Sequence, residues 1–326
     1  MDFRTKVELP KKELNITHDS KILLLGSCFA ENIGGRLVEN KFCCDVNPFG
    51  ILYNPMSILA ALKQLSAGKE YSEADLFAYQ GQWHSYMHHG SFSDVSKEIC
   101  LKNINSRLQQ AAMKQTSLNY LLITFGTAYV YTLKENRMIV SNCHKLPEMN
   151  FERRRLTVDE VVKEYTVYLN SLLKQNQALK ILFTVSPIRH FKDGMQGNQL
   201  SKATLLLIID TLRVNFPENV FYFPSYELMM DELRDYRFYA DDMLHPSNVA
   251  VDYLWGCFSS SYFSKDTLDI LTEWGEIKKA LNHKPFRPES EQYIKFLSQI
   301  VLRIKRLKEK CPNLDVEKEI KLCHIQ

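Results

Sequence analysis

The stretch Lys21-Ile-Leu-Leu-Leu-Gly-Ser-Cys-Phe-Ala-Glu-Asn-Ile-Gly-Gly-Arg-Leu37 decides how the rest of the chain is read. Four apolar residues, Ile22 to Leu25, lead into Gly26 and Ser27, and Phe29, Ile33 and Leu37 then recur at spacing four. A continuous apolar run fits a strand covered on both faces, and the spacing of four fits one face of a helix. The same pattern returns three times. Tyr120 to Gly126, Lys180 to Pro187 and Val220 to Ser225 are short apolar runs that end in Gly, Ser or Pro. A further short strand is expected around Phe42 to Val46.

Helices are expected over Pro55 to Leu65, Ser96 to Gln115 and Ser201 to Asn215. Another opens at the capping box Thr157-Val-Asp-Glu160 and runs to about Lys174. Alternating strands and helices point to an open α/β sheet, here expected as a three-layer α/β/α domain over residues 1–260. From 261 to 326 no strand is evident. Tyr293, Phe296, Leu297, Ile300, Val301, Ile304 and Leu307 form one apolar stripe, which reads as a helical C-terminal extension. The basic stretch Arg303 to Lys310 reads as the solvated face of that helix.

With 326 residues there is room for one large domain, or one domain and an appendage. A net charge of +3 gives no nucleic-acid footprint. No apolar run approaches the ~18–20 residues of a membrane span. The first 21 residues hold no apolar signal core, and the eight cysteines form no paired framework. The expectation is a cytoplasmic protein with reduced thiols and with neither nucleic acid nor membrane as partner.

In open α/β sheets, sites form outside the carboxyl ends of the strands. Ser27 follows the first strand and begins a helix, where backbone N–H groups can stabilise a developing negative charge. Ser27 can equally be a helix cap. Far along the chain lies Asp241-Asp242-Met243-Leu244-His245-Pro246. A carboxylate three residues before an imidazole can orient it, and a nucleophilic serine needs such a base. Serine after the first strand together with Asp-x-x-His after the last is a much rarer pattern than either alone.

Gly26-Ser27-Cys28-Phe29-Ala30 resembles the motif that names the GSCFA family, an offshoot of the SGNH (GDSL-like) hydrolase superfamily. The resemblance extends through Asn47 to Pro55, Gly126-Thr-Ala-Tyr129, Asn142-Cys-His-Lys145, Ser186 to His190 and Asp242 to His245. It implies a flavodoxin-like strand order, Ser27 as nucleophile, His245 as base and Asp242 as its orienter. It also implies an oxyanion hole from the N–H groups of Ser27 and Gly50. The chain departs where SGNH enzymes carry Gly-x-Asn-Asp. Here it reads Gly126-Thr127-Ala128-Tyr129, so the third donor is expected from Thr127 or from Asn142, after a hairpin over Tyr129 to Val140.

Other residues carry weaker signals. His84 and His88 are four apart, which on a helix suits a metal, although an aromatic loop lining a pocket fits better and no metal is expected. Tyr129, His144, Lys145, Arg189 and His190 are further candidates for the pocket wall. Lys145 suits an anionic group, Arg189 a carboxylate clamp, and each can instead be a loop hydrogen-bonder. Cys28 is a rival nucleophile, since thiol pKa falls at helix N-termini, or a packing residue. The expected function is a serine esterase acting on a small-molecule or carbohydrate ester through an acyl-enzyme, without cofactor. An acyltransferase and a non-catalytic binding protein are the alternatives.

Overall fold

In the computed structural model, which describes residues 4–10, 14–115, 117–283, 285–287 and 289–325, the opening apolar run is strand β1 (Ile22–Gly26). It feeds α1 (Cys28–Glu39), followed by β2 (Cys44–Val46), α2 (Pro55–Ala67), β3 (Phe77–Tyr79) and β4 (Gln82–His84). Next come α3 (Lys97–Gln115), β5 (Tyr120–Phe125), β6 (Tyr129–Leu133), β7 (Ile139–Val140) and β8 (Phe151–Arg155). Then follow α4 (Val158–Gln175), β9 (Lys180–Val185), α5 (Gly194–Asn215), β10 (Val220–Phe223) and the single turn α6 (Ser225–Glu227). Four helices close the chain: α7 (Asn248–Tyr262), α8 (Lys265–Leu281), α9 (Glu291–Lys310) and α10 (Glu317–Ile325). The outermost residues of the two expected ranges, 1–3 and 326, lie outside the described residues.

The main sheet has five parallel strands in the order β2-β1-β5-β9-β10. Counted along the chain this is 2-1-3-4-5, the flavodoxin-like order. Successive side chains of a strand point to opposite faces. Leu23 and Leu25 of β1 therefore join Leu59, Leu62, Leu169, Leu205 and Ile209 on the α2–α5 side. Ile22 and Leu24 join Phe29, Ile33, Leu254 and Phe258 on the α1–α7 side. Both faces are covered, which explains why the strand shows no polar alternation, and the fold is a three-layer α/β/α sandwich.

Two small antiparallel units lie outside this sheet. β6 pairs with β7 as the expected hairpin and with β8 as a third strand that sequence did not suggest. Phe-Glu-Arg-Arg-Arg, the sequence of β8, is too basic to read as a strand, and only Phe151 is fully buried. The β3–β4 hairpin turns through Gln80 and Gly81, both at positive φ, inside what the sequence suggests is an aromatic loop. α5 starts at Gly194, seven residues before the expected Ser201. Gly194 and Gly197 weaken the helical signal there, while buried Asn198 ties the new turn back by accepting from the His190 N–H at 3.0 Å.

The expected change of character at 261 falls inside the last turn of α7. Beyond it, the α9 stripe packs against Trp274 and Ile277 of α8, with Phe296 alone of its expected members left at the surface. The basic stretch pairs with α8, Arg303 with Glu276 at 2.6 Å and Lys310 with Glu273 at 2.7 Å. Trp274 Nε1 donates to the Glu39 carbonyl and Lys41 meets Glu319, fixing these helices to the end of α1. All eight cysteines are free thiols. Among the described residues no helix is long and apolar enough to cross a membrane.

Gly26 has φ +147°, and a Cβ there would lie 2.3 Å from the Thr124 carbonyl oxygen. Gly26→Ala is expected to cost roughly 2–4 kcal/mol in urea unfolding, because neither backbone can give way. Gly35→Ala, on the open face of α1, is expected to gain roughly 0.5–1 kcal/mol in the same measurement.

Candidate active site

The turn from β1 into α1 sets the position of Ser27. The Gly26 N–H donates to Asn47 Oδ1 at 2.9 Å, and the Ser27 N–H donates to the Thr124 carbonyl at 3.3 Å. Ser27 is the N-cap of α1, and its Oγ accepts from the Phe29 N–H at 3.3 Å. The side chain is buried, yet it forms part of the lining of a cavity of about 670 Å³. The segments that follow β1, β5 and β9 all contribute to this cavity, so it lies at the carboxyl edge of the sheet.

His245 lies on the same lining and is brought there by a tight loop. Asp242 Oδ1 accepts the N–H groups of Leu244 and His245, both at 2.9 Å, while Oδ2 meets His245 Nδ1 at 2.5 Å. The backbone N–H bonds, with the imidazole contact, hold the Asp242 carboxyl at about 2, below its usual range, although the side chain is half-exposed. An ionised carboxylate only accepts hydrogen bonds. The proton of a neutral His245 therefore sits on Nδ1 and leaves Nε2 with a lone pair. Arg189 braces the loop by donating to the Met243 carbonyl at 2.9 Å, its guanidinium lying near the rings of Phe191, Tyr236 and Tyr239. That contact takes one terminal nitrogen of the guanidinium and leaves Nε without a hydrogen-bond partner among the described residues. No hydrogen bond joins Ser27 Oγ to His245.

The expected oxyanion donors are distributed differently. Gly50 does not line the cavity. Its N–H closes the Asn47-Pro-Phe-Gly turn onto the Asn47 carbonyl at 2.7 Å, and His89 Cβ crowds its α-carbon. Thr127 lines the cavity, but its hydroxyl accepts from the Tyr129 N–H and contacts Ser201 Oγ at 3.1 Å. Asn142 lines it with Oδ1 accepting from the His144 N–H, and the Nδ2 donor has no partner among the described residues. The first N–H of a helix has no intrahelical acceptor, so the Cys28 N–H, beside Ser27 on the lining, is a donor the sequence reading passed over.

Tyr129, Lys145, Arg189 and His190 reach the cavity wall, whereas His84 and His144 stand behind it. His84 belongs to β4, where both ring nitrogens are engaged, by Ser93 and the Tyr79 carbonyl, so the helical spacing with His88 never forms. His144 contacts the Ser85 carbonyl at 2.8 Å and stacks near His84. Among the described residues no group of three or more His, Cys, Asp or Glu side chains could hold a metal ion. Burial pushes the Cys28 thiol up, against the effect of the helix start, so its thiolate is disfavoured.

Lys202 was missed. Fully buried, it donates from Nζ to the carbonyls of Gly126 and Ser186, each at 2.8 Å, and so joins the segments after β5 and β9. Burial lowers its pKa to about 7. A lysine within the apolar stripe Leu205, Ile209 and Leu212 of α5 was the available signal. Tyr53 was missed too. Its carbonyl accepts from the N–H groups of Gly126 and Thr127, and its ring meets His190 edge-on at 6.0 Å.

A family model described as GSCFA family matches residues 21–258, from the residue before β1 to within α7. The chain belongs to the GSCFA family. A second model, GSCFA domain protein, C-terminal domain, matches residues 274–326, which places α9 and α10 inside a recognised family unit. No curated protein matches the chain. In this GSCFA protein the motif Gly26 to Ala30 is the β1–α1 turn itself, and the matched region includes Asp242 and His245.

Burial, with Lys202 nearby, lowers His190 to about 4. Between pH 6.5 and 4 the unfolded chain takes up a proton there that the folded chain refuses, so stability falls as pH drops through that window. The thermal midpoint is expected to decline across it. His190→Asn should flatten the decline, and parallel curves for the two proteins would contradict the assignment.

Proposed function

We propose that this GSCFA protein is a serine-dependent hydrolase of the SGNH type, an esterase that passes an acyl group through Ser27 to water. One observation carries the reading: His245, with Nδ1 held by Asp242 and Nε2 left with its lone pair, lies on the lining of the same cavity as a serine at a helix N-terminus. Rotation about the Cα–Cβ bond of Ser27 frees Oγ from the Phe29 N–H. As Oγ bonds to the acyl carbon, its proton passes to His245 Nε2. The Cys28 N–H and Asn142 Nδ2 are available to the oxyanion, with the long Ser27 N–H bond to Thr124 as a third donor once released. One such donor is typically worth about 10²–10³ in rate. Collapse of the adduct breaks the ester C–O bond, and Nε2 returns the proton to the departing alcohol. Water, losing a proton to Nε2, then attacks the acyl-enzyme, and the acid leaves as Ser27 regains its hydrogen.

A cavity of about 670 Å³ is within the usual range for ligand pockets and larger than a small acyl group needs. That size supports a second reading, in which an acceptor alcohol replaces water and the protein is an acyltransferase. Faster turnover with an added polyol than with water alone would favour it.

A fluorophosphonate probe is expected to label Ser27, as located by mass spectrometry. Ser27→Ala abolishes labelling, Asp242→Asn slows it by about 10²–10⁴, and His245→Ala slows it at least as much. Cys28→Ala still labels. Because Ser27→Ala also removes a helix cap worth about 0.5–2 kcal/mol, its melting midpoint is compared with wild type. A folded wild-type protein that stays unlabelled would turn the reading toward a ligand-binding protein without chemistry.

A further inference from the structure

We propose that the cavity wall built by β6, β8 and the turn after β7 is a subsite for an anionic group, a carboxylate or a phosphate, carried by the ester substrate. The word substrate rests on the serine-hydrolase reading, whereas the anion site does not.

Nine buried side-chain polar atoms of the described residues have no hydrogen-bond partner in the protein, and five belong to residues lining this cavity. They are Ser141 Oγ, Arg153 Nε, Arg189 Nε, His190 Nε2 and Asp193 Oδ1. The Asp193 carboxylate is set aside, because it forms an ion pair with Arg153. What remains is Ser141 Oγ and Arg153 Nε on this wall, and Arg189 Nε and His190 Nε2 on the segment after β9 that lines the same cavity. Buried polar groups are normally paired, and leaving one unpaired is destabilising unless a ligand satisfies it. A polyol would present donors as well as acceptors, but this set calls chiefly for acceptors.

The charges agree. Lys192 is paired with Glu148 at 2.6 Å and Arg153 with Asp193, while the Lys145 ammonium has no carboxylate partner among the described residues. Positive charge is therefore in excess on this wall. Arg153 is held in place, its guanidinium 4.2 Å from the centre of the Tyr129 ring and 5.4 Å from that of Tyr131. With one edge given to Asp193, its Nε remains unpaired. His144 and Lys145 occupy consecutive left-handed positions, φ 47° and 61°. Such conformations are unfavourable for non-glycine residues and persist where surrounding contacts enforce them. Here the enforcing contacts are the His144 N–H to Asn142 Oδ1 and the His144 ring to the Ser85 carbonyl. The turn thus places Asn142 and Lys145 together on the cavity lining.

The test uses full-length Ser27→Ala, which cannot turn over. Its melting midpoint and calorimetric Kd are measured with succinate, with inorganic phosphate and with neutral erythritol. Saturable stabilisation by succinate or by phosphate, absent with erythritol, is expected, and the stronger of the two identifies the anion. Lys145→Gln, at an exposed position, and Arg153→Lys, which keeps the charge but loses the planar fork, should each weaken that Kd about tenfold. No anion-dependent stabilisation, or stabilisation indifferent to both substitutions, overturns the subsite. In the Ser27 protein, preference for 4-nitrophenyl hemisuccinate over 4-nitrophenyl acetate in kcat/KM should fall about tenfold with Lys145→Gln if succinate is the better anion. Anion binding without any ester turnover would leave the subsite standing and sink the hydrolase reading. Ester turnover without anion binding would sink the subsite alone.

Discussion

Everything at the carboxyl edge of this protein depends on one close approach: the α-carbon of Gly26 against the backbone of Thr124 in the neighbouring strand. The chain leaves a strand buried on both faces and must begin a helix within one residue. Gly26 permits this through φ +147° and through the absence of a Cβ that would stand 2.3 Å from a carbonyl oxygen. Ser27 is then fixed by three bonds at once: its own N–H to Thr124, its Oγ to Phe29, and the preceding N–H to Asn47. A residue held this firmly needs only a side-chain rotation to bring its Oγ to new partners, which is what the proposed role of Ser27 requires.

Around that turn the other loops are tied by polar contacts. Lys202 joins the segments after β5 and β9 from below, the Tyr53 carbonyl holds Gly126 and Thr127, and Arg189 braces the loop of Asp242 and His245 from the side. A fully buried amine is costly unless its hydrogen bonds are met. Lys202 meets the cost with two carbonyls, and its pKa near 7 records what burial exacts. The arrangement gives a stiff floor and a wall with unpaired donors, so the proposed selectivity for an acceptor-rich ligand and the proposed acyl chemistry at Ser27 would draw on adjoining parts of one cavity.

The two units matched by separate family models meet at the C-terminal end of α1, the end opposite Ser27. Trp274, Lys278 and Glu319 all contact the segment Glu39 to Lys41. The helix that begins with the cap of Ser27 therefore ends against the C-terminal helices. Packing of α8 to α10 can thereby bear on the stability of α1 without contributing a residue to the site.

Sequence by itself determined β1, β5, β9 and β10 of the main sheet, because strands covered on both faces are largely apolar, and such runs stand out against a chain of mixed polarity. It determined the helix that opens at the capping box of Thr157 and Glu160 and the helix start at Pro55, since those signals are local. It singled out Ser27, Asp242 and His245 through a rare pairing of local motifs. Tertiary structure alone decided the rest. Gly50 and His84 lost their expected places because their partners, Asn47 and Tyr79, take up groups that looked free in sequence. β8 became a strand because Tyr129 and Tyr131 of β6 offer Arg153 a surface, and nothing within Phe-Glu-Arg-Arg-Arg announces that. Lys202, Arg153 and Ser141 entered the site through contacts across dozens of residues, and such contacts leave no period or spacing in the sequence to read.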